Sequence, residues 1–368
     1  MLSVLGARKY PDRVQASNRR GQACHAVVPK RGGVTGMKLP DKRVILGVAL
    51  GAALLLWFLS DVHWGELAEV LGKVQLRWVI ASAAMMMLEW TFRGARWWIL
   101  LRHVDKELRL WTCVSATWIG LGLNSVLPLR GGDLVRPALV AADRNLPYSL
   151  TMSTTLIERL FDWGAVCGML SVMFAAFPAE VIEHSAVLSQ MKWWSRVASV
   201  VGVVVVVGTF SLLVPAVRRR VLGAVQKLPL GVRGTVQIQV EQVLLGVETA
   251  GNPWRIFGAL GLTCAVWATG ILSALYLFRA MELPLGLDAA VFVEGALTLS
   301  VALPQAPGYL GVFQVAMEET LKLFAAPVAV AKGAALVFWA ICYLPVTAVG
   351  LLLAWRRGLP LSQATAKS

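Results

Sequence analysis

The chain has 368 residues, of which 57% are hydrophobic and only 15% are charged, whereas about a quarter of the residues in a soluble domain are charged. This composition excludes an ordinary soluble domain and predicts an integral membrane protein built from several apolar helices. The 35 Lys and Arg residues exceed the 21 Asp and Glu residues. Because basic loops remain cytoplasmic, we interpret this excess as a topology signal and predict no nucleic-acid partner.

The amino-terminal segment differs in composition from the rest of the chain. Residues 1–36 are rich in Arg, Lys, Gly and Pro and contain no apolar run of signal-peptide length, so we expect a disordered basic extension. Met37 precedes a short basic stretch and then an apolar run, which is typical of a start, so we expect the first 36 residues to be an upstream extension. A transmembrane domain is predicted over 37–358 and a cytoplasmic tail over 359–368.

Six apolar segments have the length that a membrane-spanning helix requires, about 17–25 residues. They are Val44–Ser60, Trp78–Leu101, Ser149–Phe177, Arg196–Pro215, Arg255–Met281 and Val328–Trp355. The sequence therefore predicts an all-α, polytopic membrane protein.

Basic residues mark the predicted cytoplasmic side. They cluster before Val44, over Arg102–Arg109 and Arg218–Arg233, and after Arg356. Both termini are therefore predicted to be cytoplasmic, with the chain in the inner or plasma membrane. Residues 217–252 carry valines at helical spacing among Gln and Glu, which indicates a cytoplasmic amphipathic helix that packs under the bundle or rests on the lipid surface.

Two further apolar segments end in a shared pattern. Leu127–Leu134 and Leu303–Leu310 both read L-P-x-x-x-G-x-L, and each is followed by a second amphipathic arm. Broken backbone at membrane depth is tolerated only inside protein or beside a wet cavity, and such breaks mark binding sites in transporters. We predict two re-entrant hairpins that form an inverted repeat, since three spans separate them. The alternative is eight full spans.

Charged side chains lie within or beside these apolar segments. They are Glu89, Arg93, Arg96, Arg130, Asp133, Arg136, Glu158, Arg159, Asp162 and Glu294. A charge at the bilayer centre costs about 2.5–3.5 kcal/mol, so these groups must face the bundle interior and have partners. Glu89 and Arg93 are four residues apart and share a helix face, as do Glu158 and Asp162. Each pair alone is equally consistent with an ion pair that holds helices together.

The sum of these charges favours an anion-binding site. The five arginines of this set outnumber the four acids Glu89, Asp133, Glu158 and Asp162 by one. A guanidinium group is suited to bidentate contact with phosphate. Helix starts after Pro128 and Pro304 would add N–H donors. We predict a phospholipid head-group site formed by Arg93, Arg96, Arg130, Asp133, Arg136, Glu158, Arg159 and Asp162.

The second hairpin is rich in Pro and Gly and has few charges. We interpret the hairpin breaks as a gate or a polar path, with a tightly packed turn as the alternative. The residues assigned to this gate or path are Asn124, Pro128, Gly132, Pro304, Pro307, Gly308, Gly311 and Gln314.

Several kinds of chemistry are not indicated. The four histidines and five cysteines show no metal-ligand spacing, and the chain lacks a P-loop, a G-x-S-x-G nucleophile and a dinucleotide glycine motif. We therefore predict no metal and no cofactor. Any pumping would need an ion gradient or a partner, and Glu158, Asp162 and Glu294 are candidates to carry protons.

Five motifs together resemble one family. They are Arg93-Gly-Ala-Arg96-Trp97, Asn124-Ser-Val-Leu-Pro128, Gly132-Asp133-Leu134-Val135-Arg136-Pro137, Glu158-Arg159-Leu-Phe-Asp162 and Pro304-Gln-Ala-Pro307-Gly308-Tyr-Leu-Gly311-Val-Phe313. They resemble the lysylphosphatidylglycerol synthase transmembrane-region family, also called flippase-like or UPF0104-type proteins. The resemblance covers most of the chain after Met37 and implies lipid transport, as in the flippase half of multiple peptide resistance factor. The family usually has Glu where this chain has Gln314.

Three functions stay open at this point. The first is translocation or binding of an anionic phospholipid or lipid-linked head group, with membrane lipids as partners. The second is a membrane-embedded transferase that acts on a lipid-linked substrate. The third is a non-catalytic scaffold for a lipid-modifying partner enzyme. Glycines such as Gly120 and Gly122 indicate either helix packing or a homo-oligomer.

Overall fold

In a computed structural model of the chain, the described residues are 53–60, 62–127, 130–176, 253–301 and 307–359, together with part of 193–244. Every regular element among them is helical, which confirms the all-α prediction. Residues 1–36, most of the predicted tail and most of the predicted first span lie outside the described residues.

Ten α-helices have both ends within the described residues. They are α1 (Trp64–Gly72), α2 (Leu76–Leu101), α3 (Leu110–Val126), α4 (Gly132–Arg144), α5 (Tyr148–Ala176), α6 (Pro215–Gln226), α7 (Pro253–Ala280), α8 (Leu287–Val301), α9 (Val312–Leu323) and α10 (Val328–Arg356). A 3-10 turn at Pro307–Tyr309 lies between α8 and α9.

Two of the described helices are long and apolar enough to cross a membrane alone. They are Trp254–Ala280 within α7, with a mean hydropathy of 1.7, and α10, with a mean hydropathy of 2.2. Helices α1 and α2 meet at 84° and are long and apolar enough when taken together, as one broken span or as a re-entrant loop. Helix α5 also has the length, 29 residues, but carries Glu158, Arg159 and Asp162 in its middle. The total of six spans remains a prediction.

The two predicted hairpins are present as pairs of short helices. Helices α3 and α4 pack against each other, and so do α8 and α9. Their longer arms have 17 and 15 residues, which at 1.5 Å per residue is about 22–26 Å and thus shorter than a bilayer core of about 30 Å. Arg130 in the first break donates from Nη1 to the Val301 carbonyl at 3.4 Å, so the two breaks lie close together.

The first break is tight because small residues allow the two arms to touch. A β-carbon on Gly132 would lie 1.9 Å from the Gly120 carbonyl oxygen, so only glycine fits at the start of α4. Asn124 then ties the arms together, since its Oδ1 accepts the Asp133 backbone N–H at 3.1 Å and its Nδ2 donates to Asp133 Oδ1 at 2.9 Å. Gly120 is thus used for packing within the chain.

The second arm of the second hairpin begins after a glycine turn. Gly311, whose φ of 86° is in the left-handed region that favours glycine, directly precedes α9. Gly308, which aligns with Gly132 in the sequence repeat, does not begin a helix but lies in the 3-10 turn ahead of α9. The aligned glycines therefore occupy different structural positions in the two hairpins.

Close helix crossings hold the hairpins against the long helices. Helix α2 packs along α7, and α3 packs along α10. A β-carbon on Gly350 of α10 would lie 2.4 Å from the Trp118 carbonyl oxygen and 3.0 Å from the Gly122 α-carbon. Gly122 is therefore also engaged within the chain. Helix α3 packs against α2 as well, which places the first hairpin beside a helix that carries charge.

Candidate functional site

A cavity of about 420 Å³ lies inside the helical bundle. Its walls combine apolar and aromatic side chains with charged residues from several helices. All eight residues predicted to bind a head group line it: Arg93, Arg96, Arg130, Asp133, Arg136, Glu158, Arg159 and Asp162. The structure thus brings together in one cavity side chains that lie far apart in the sequence.

Helix α2 supplies two arginines that are held by carboxylates. Arg93 donates to Glu89 Oε1 at 2.9 Å and to Asp162 Oδ2 at 3.0 Å. Arg96 donates to Asp162 Oδ1 at 2.7 Å and lies 3.4 Å from Glu158 Oε1. Asp162 therefore bridges the two arginines and joins α2 to α5.

Arg136 of α4 is the third deeply placed arginine. Its Nη2 donates to Glu158 Oε2 at 2.7 Å, and its guanidinium lies 4.1 Å from the ring centre of the buried Trp97. Trp97 is itself fixed, since its indole N–H donates to Thr154 Oγ1 at 2.9 Å. The Arg136 Nε atom is buried and has no hydrogen-bond partner among the described residues. It is therefore a buried donor that the described residues leave unsatisfied.

Asp133 is shared by two more exposed arginines. Its Oδ2 lies 3.0 Å from Arg159 Nη2 and 3.3 Å from Arg130 Nε. The Arg159 side chain is 37% exposed, against 1% for Arg96. The arginines thus form two groups, a buried group fixed by several acids and a more open group that shares one carboxylate oxygen.

This division changes the roles that the sequence indicated. The sequence placed all five arginines in one predicted head-group site without distinguishing their roles. In the structure Arg96 donates from Nε to Glu158 and from Nη1 to Asp162. The same Nη1 also donates to the Thr263 hydroxyl at 3.0 Å. Its geometry suits bracing of the acids, whereas Arg159 and Arg130, whose side chains are 37% and 34% exposed, are better placed to meet a ligand.

Glu294, which the sequence marked as an interior charge but not as part of the head-group site, lies in the same cavity. It comes from α8, the first arm of the second hairpin, and lines the same cavity as the arginines. Tyr309 and Phe313 of that hairpin line it as well. With Glu294 included, five carboxylates line the cavity beside five arginines, so the excess of one arginine counted from the sequence does not hold for the cavity. A lone Glu in the apolar run of α8 was the available signal.

The residues assigned to a gate or path have mixed positions. Gly308 accepts a hydrogen bond on its carbonyl from Trp339 Nε1 at 2.7 Å, and Gln314 Oε1 accepts the Gly311 N–H at 2.7 Å and caps α9. Gln314 is fully buried and is not part of the cavity wall. Pro128 and Pro304 lie outside the described residues, and Pro307 begins the 3-10 turn. A gating role stays a prediction.

The described parts of the chain contain no group of three or more His, Cys, Asp or Glu side chains arranged to hold a metal ion. The acids that line the cavity are instead paired mainly with arginines. The site is therefore suited to charge recognition through guanidinium groups.

These features define a helical membrane protein with a cluster of paired charges around an internal cavity. Residues 44–350 match the family model described as the lysylphosphatidylglycerol synthase TM region, and the chain belongs to this family. The resemblance carried by the five sequence motifs is thereby confirmed, as is the prediction of a membrane protein.

Three curated relatives share this region. Glycosyltransferase AglD of Haloferax volcanii is 25% identical over 303 residues, which cover 74% of this chain and 47% of that protein. A UPF0104 membrane protein of Methanocaldococcus jannaschii is 26% identical over 55% of this chain and 79% of its own length. A second UPF0104 membrane protein, from Methanothermobacter thermautotrophicus, is 23% identical over 81% of this chain and 90% of its own length. The chain spans about half the length of the glycosyltransferase.

Proposed function

We propose that this chain binds the anionic head group of a phospholipid or lipid-linked molecule and translocates it across the inner or plasma membrane. The observation that carries this proposal is the convergence of five arginines on one cavity inside an apolar bundle. Charged groups inside a membrane are costly and are retained mainly where they act on a substrate or ion. Arginine presents planar paired donors that match phosphate oxygens.

The pair formed by Arg130 and Arg159 suggests how an anion is received. Both guanidinium groups contact the same Asp133 oxygen, at 3.3 and 3.0 Å. A phosphate has more acceptor oxygens than one carboxylate atom and is able to replace that shared contact without leaving either arginine unpaired. Apolar wall residues such as Leu121 and Leu297 suit the part of the lipid next to the head group.

The proposal includes an arrangement of the chain in the membrane. The longer hairpin arms, of 17 and 15 residues, lie at and below the lower length limit for a span, which supports two re-entrant hairpins over the alternative of eight full spans. The contact of Arg130 with Val301 at 3.4 Å supports hairpin tips that meet at membrane depth. We place the hairpins as an inverted repeat and both termini in the cytoplasm, in accordance with the distribution of basic residues.

The first test removes an open arginine. Arg159→Ala is expected to slow translocation of a labelled anionic phospholipid at least about tenfold, since loss of a charged hydrogen bond is worth about 1.5–3 kcal/mol. Translocation is measured in reconstituted vesicles as loss of outer-leaflet label, with and without a pH gradient. Arg77→Ala is the matched control, because Arg77 bonds to Gln75 outside the cavity. An unchanged rate in Arg159→Ala contradicts the proposed head-group site, and absence of lipid movement in the unmodified protein contradicts translocation.

A second test removes the anion that the open arginines now share. Asp133→Asn keeps an oxygen for the Asn124 contact but removes the negative charge between Arg130 and Arg159. We expect anionic lipid to bind several-fold more tightly, because the ligand no longer competes with a carboxylate. Binding is measured by titrating the protein in nanodiscs with labelled anionic lipid, and a zwitterionic lipid serves as the control. Weaker binding of the anionic lipid contradicts the exchange of Asp133 for phosphate.

The match to a glycosyltransferase favours a second candidate, a transferase that acts on a lipid-linked substrate. Glu158 and Asp162 are the acids that such an enzyme would use as a base, yet each is held by two arginines at 2.7–3.4 Å. This pairing favours charge recognition over proton abstraction. Analysis of products after incubation with candidate sugar donors and lipid-linked acceptors separates the two, since translocation leaves the lipid chemically unchanged.

A third candidate is a non-catalytic scaffold for a lipid-modifying partner enzyme, and the similarity to a protein described as a glycosyltransferase favours an enzyme of that class as the partner. A scaffold that only anchors such an enzyme predicts that Arg136→Ala and Glu158→Ala leave function intact. Self-association into a homo-oligomer would use surfaces other than Gly120 and Gly122, which pack within the chain.

A further inference from the structure

Two carboxylates from different helices, Glu89 of α2 and Glu294 of α8, meet beside Gly270 of α7. The position that a β-carbon would take on Gly270 lies 2.8 Å from Glu294 Oε1 and 3.2 Å from Glu89 Oε2. The two oxygens are therefore within about 6 Å of each other, the range in which two carboxylates influence each other's ionisation. Any larger residue at 270 would enter the space that they occupy.

The pair is short of positive partners. Glu89 is 2% exposed and accepts hydrogen bonds from Arg93 on Oε1 only. Its Oε2 is buried without a hydrogen-bond partner among the described residues. Glu294 is 9% exposed, and no hydrogen bond or ion pair joins it to the described part of the chain. An unpaired buried carboxylate is costly as an anion, and a proton removes that cost.

The groups that face the pair come from several helices. Arg93 and Arg96 approach from α2, Asp162 from α5, and Cys342 and Tyr343 from α10. Helix α7 contributes Gly270 and no charge. Helix α9 packs on α8, and its Glu318 forms an ion pair with Lys322 at 2.7 Å. Arg93 is the positive group nearest the pair, and it is already shared with Asp162.

The cavity's charge balance depends on this pair. Five arginines and five carboxylates line the cavity, so it is formally neutral when all are ionised. One proton on the pair leaves an excess of one positive charge. That excess matches a head group with a single negative charge.

We infer that Glu89 and Glu294 form a proton-binding site in which one proton is shared between the two carboxylates, and that its occupation makes the cavity positive for an incoming anion. Binding adds a proton from water to a carboxylate oxygen and forms one O–H bond. No electron is transferred, and release to water reverses the step. The coupling to lipid movement rests on the proposed translocation, whereas the proton site itself does not.

The proton site is tested without lipid movement. Infrared difference spectra of the whole protein in nanodiscs are recorded between alkaline and acidic buffer. We expect a carboxylic-acid carbonyl band that Glu294→Gln abolishes and that Glu89→Gln shifts in frequency, because it replaces the group that shares the proton. Glu107→Gln, at a side chain that is 91% exposed, is the control and should leave this band unchanged. A band of full amplitude in Glu294→Gln, or one unmoved by Glu89→Gln, overturns the shared-proton site.

The coupling is tested separately in vesicles. An imposed proton gradient is expected to accelerate lipid movement by the unmodified protein, and Glu294→Gln should lose that acceleration. Equal acceleration in Glu294→Gln overturns the coupling. Arg159→Ala should keep the infrared band while lipid movement slows at least about tenfold. If the unmodified protein moves no lipid but shows the band, the proposed translocation fails and the proton site stands.

Discussion

Replacing Arg96 with alanine is expected to destabilise the protein by about 3 kcal/mol. Arg96 is 1% exposed and contacts Asp162 at 2.7 Å and Glu158 at 3.4 Å, so its loss removes a counter-ion from two buried carboxylates. Breaking a buried pair typically costs about 3–5 kcal/mol. We expect the lower value because each acid keeps a second counter-ion: Asp162 still contacts Arg93, and Glu158 still contacts Arg136. The measurement is thermal unfolding in nanodiscs, followed by tryptophan fluorescence.

Two companion variants identify the cause of that loss. Arg102→Ala removes an arginine that lies over Trp98 at the end of the same helix, outside the cavity, and it should unfold close to the unmodified protein. Arg96→Lys keeps the charge but not the two-sided geometry, so an intermediate melting temperature is expected. Equal melting of Arg96→Ala and Arg102→Ala contradicts the bracing role.

Local spacing predicted part of this network. Glu89 and Arg93 are four residues apart, which predicts a shared helix face, and they pair at 2.9 Å. Partners on other helices were not available from spacing. Arg93 reaches Asp162 across 69 residues, and such a contact depends on how α2 packs along α7 and against α5. The sequence therefore indicated the cavity's residue set more readily than its pairings.

The repeat shows a second limit of sequence patterns. The motif predicted an interruption at each of two places, and the described helices agree: α3 ends at Val126 and α4 begins at Gly132, while α8 ends at Val301 and α9 begins at Val312. Its alignment pairs Gly132 with Gly308, yet Gly132 begins α4 while Gly308 lies in a turn ahead of α9. The difference depends on Gly311 and Gln314, which cap α9 one turn later. The capping residues decide where a helix begins, and in the second hairpin those residues lie outside the shared motif.

The two hairpins contribute different chemistry to one cavity. Arg130, Asp133 and Arg136 come from the first, and Glu294 and Tyr309 come from the second. A ligand between them therefore contacts both halves of the proposed repeat. A relative shift of the hairpins would change the distance between the arginines and the carboxylate pair, which gives the proposed proton a way to act on the anion site.

Gly132→Ala should disturb both the fold and the site. The new β-carbon would lie 1.9 Å from the Gly120 carbonyl oxygen and 2.7 Å from Asn124 Oδ1, so the hairpin arms must separate. Overpacking of this kind typically costs about 1–3 kcal/mol, and we expect the upper value because backbone atoms cannot rotate away. Asp133 is the next residue, so the contact that Arg130 and Arg159 share with it should also be lost.

Unfolding and lipid movement are both measured for this variant. We expect a lower melting temperature and a translocation rate reduced at least about tenfold, because small misplacements in a site have large effects on rate. Gly164→Ala is the matched control, because a β-carbon there meets nothing within 4 Å. Alanine is favoured over glycine in a helix by about 0.5–1 kcal/mol, so that control should be neutral or more stable. If Gly132→Ala behaves like Gly164→Ala, the close crossing of α3 and α4 does not set the geometry of the arginines, and the first hairpin is not the element that positions the site.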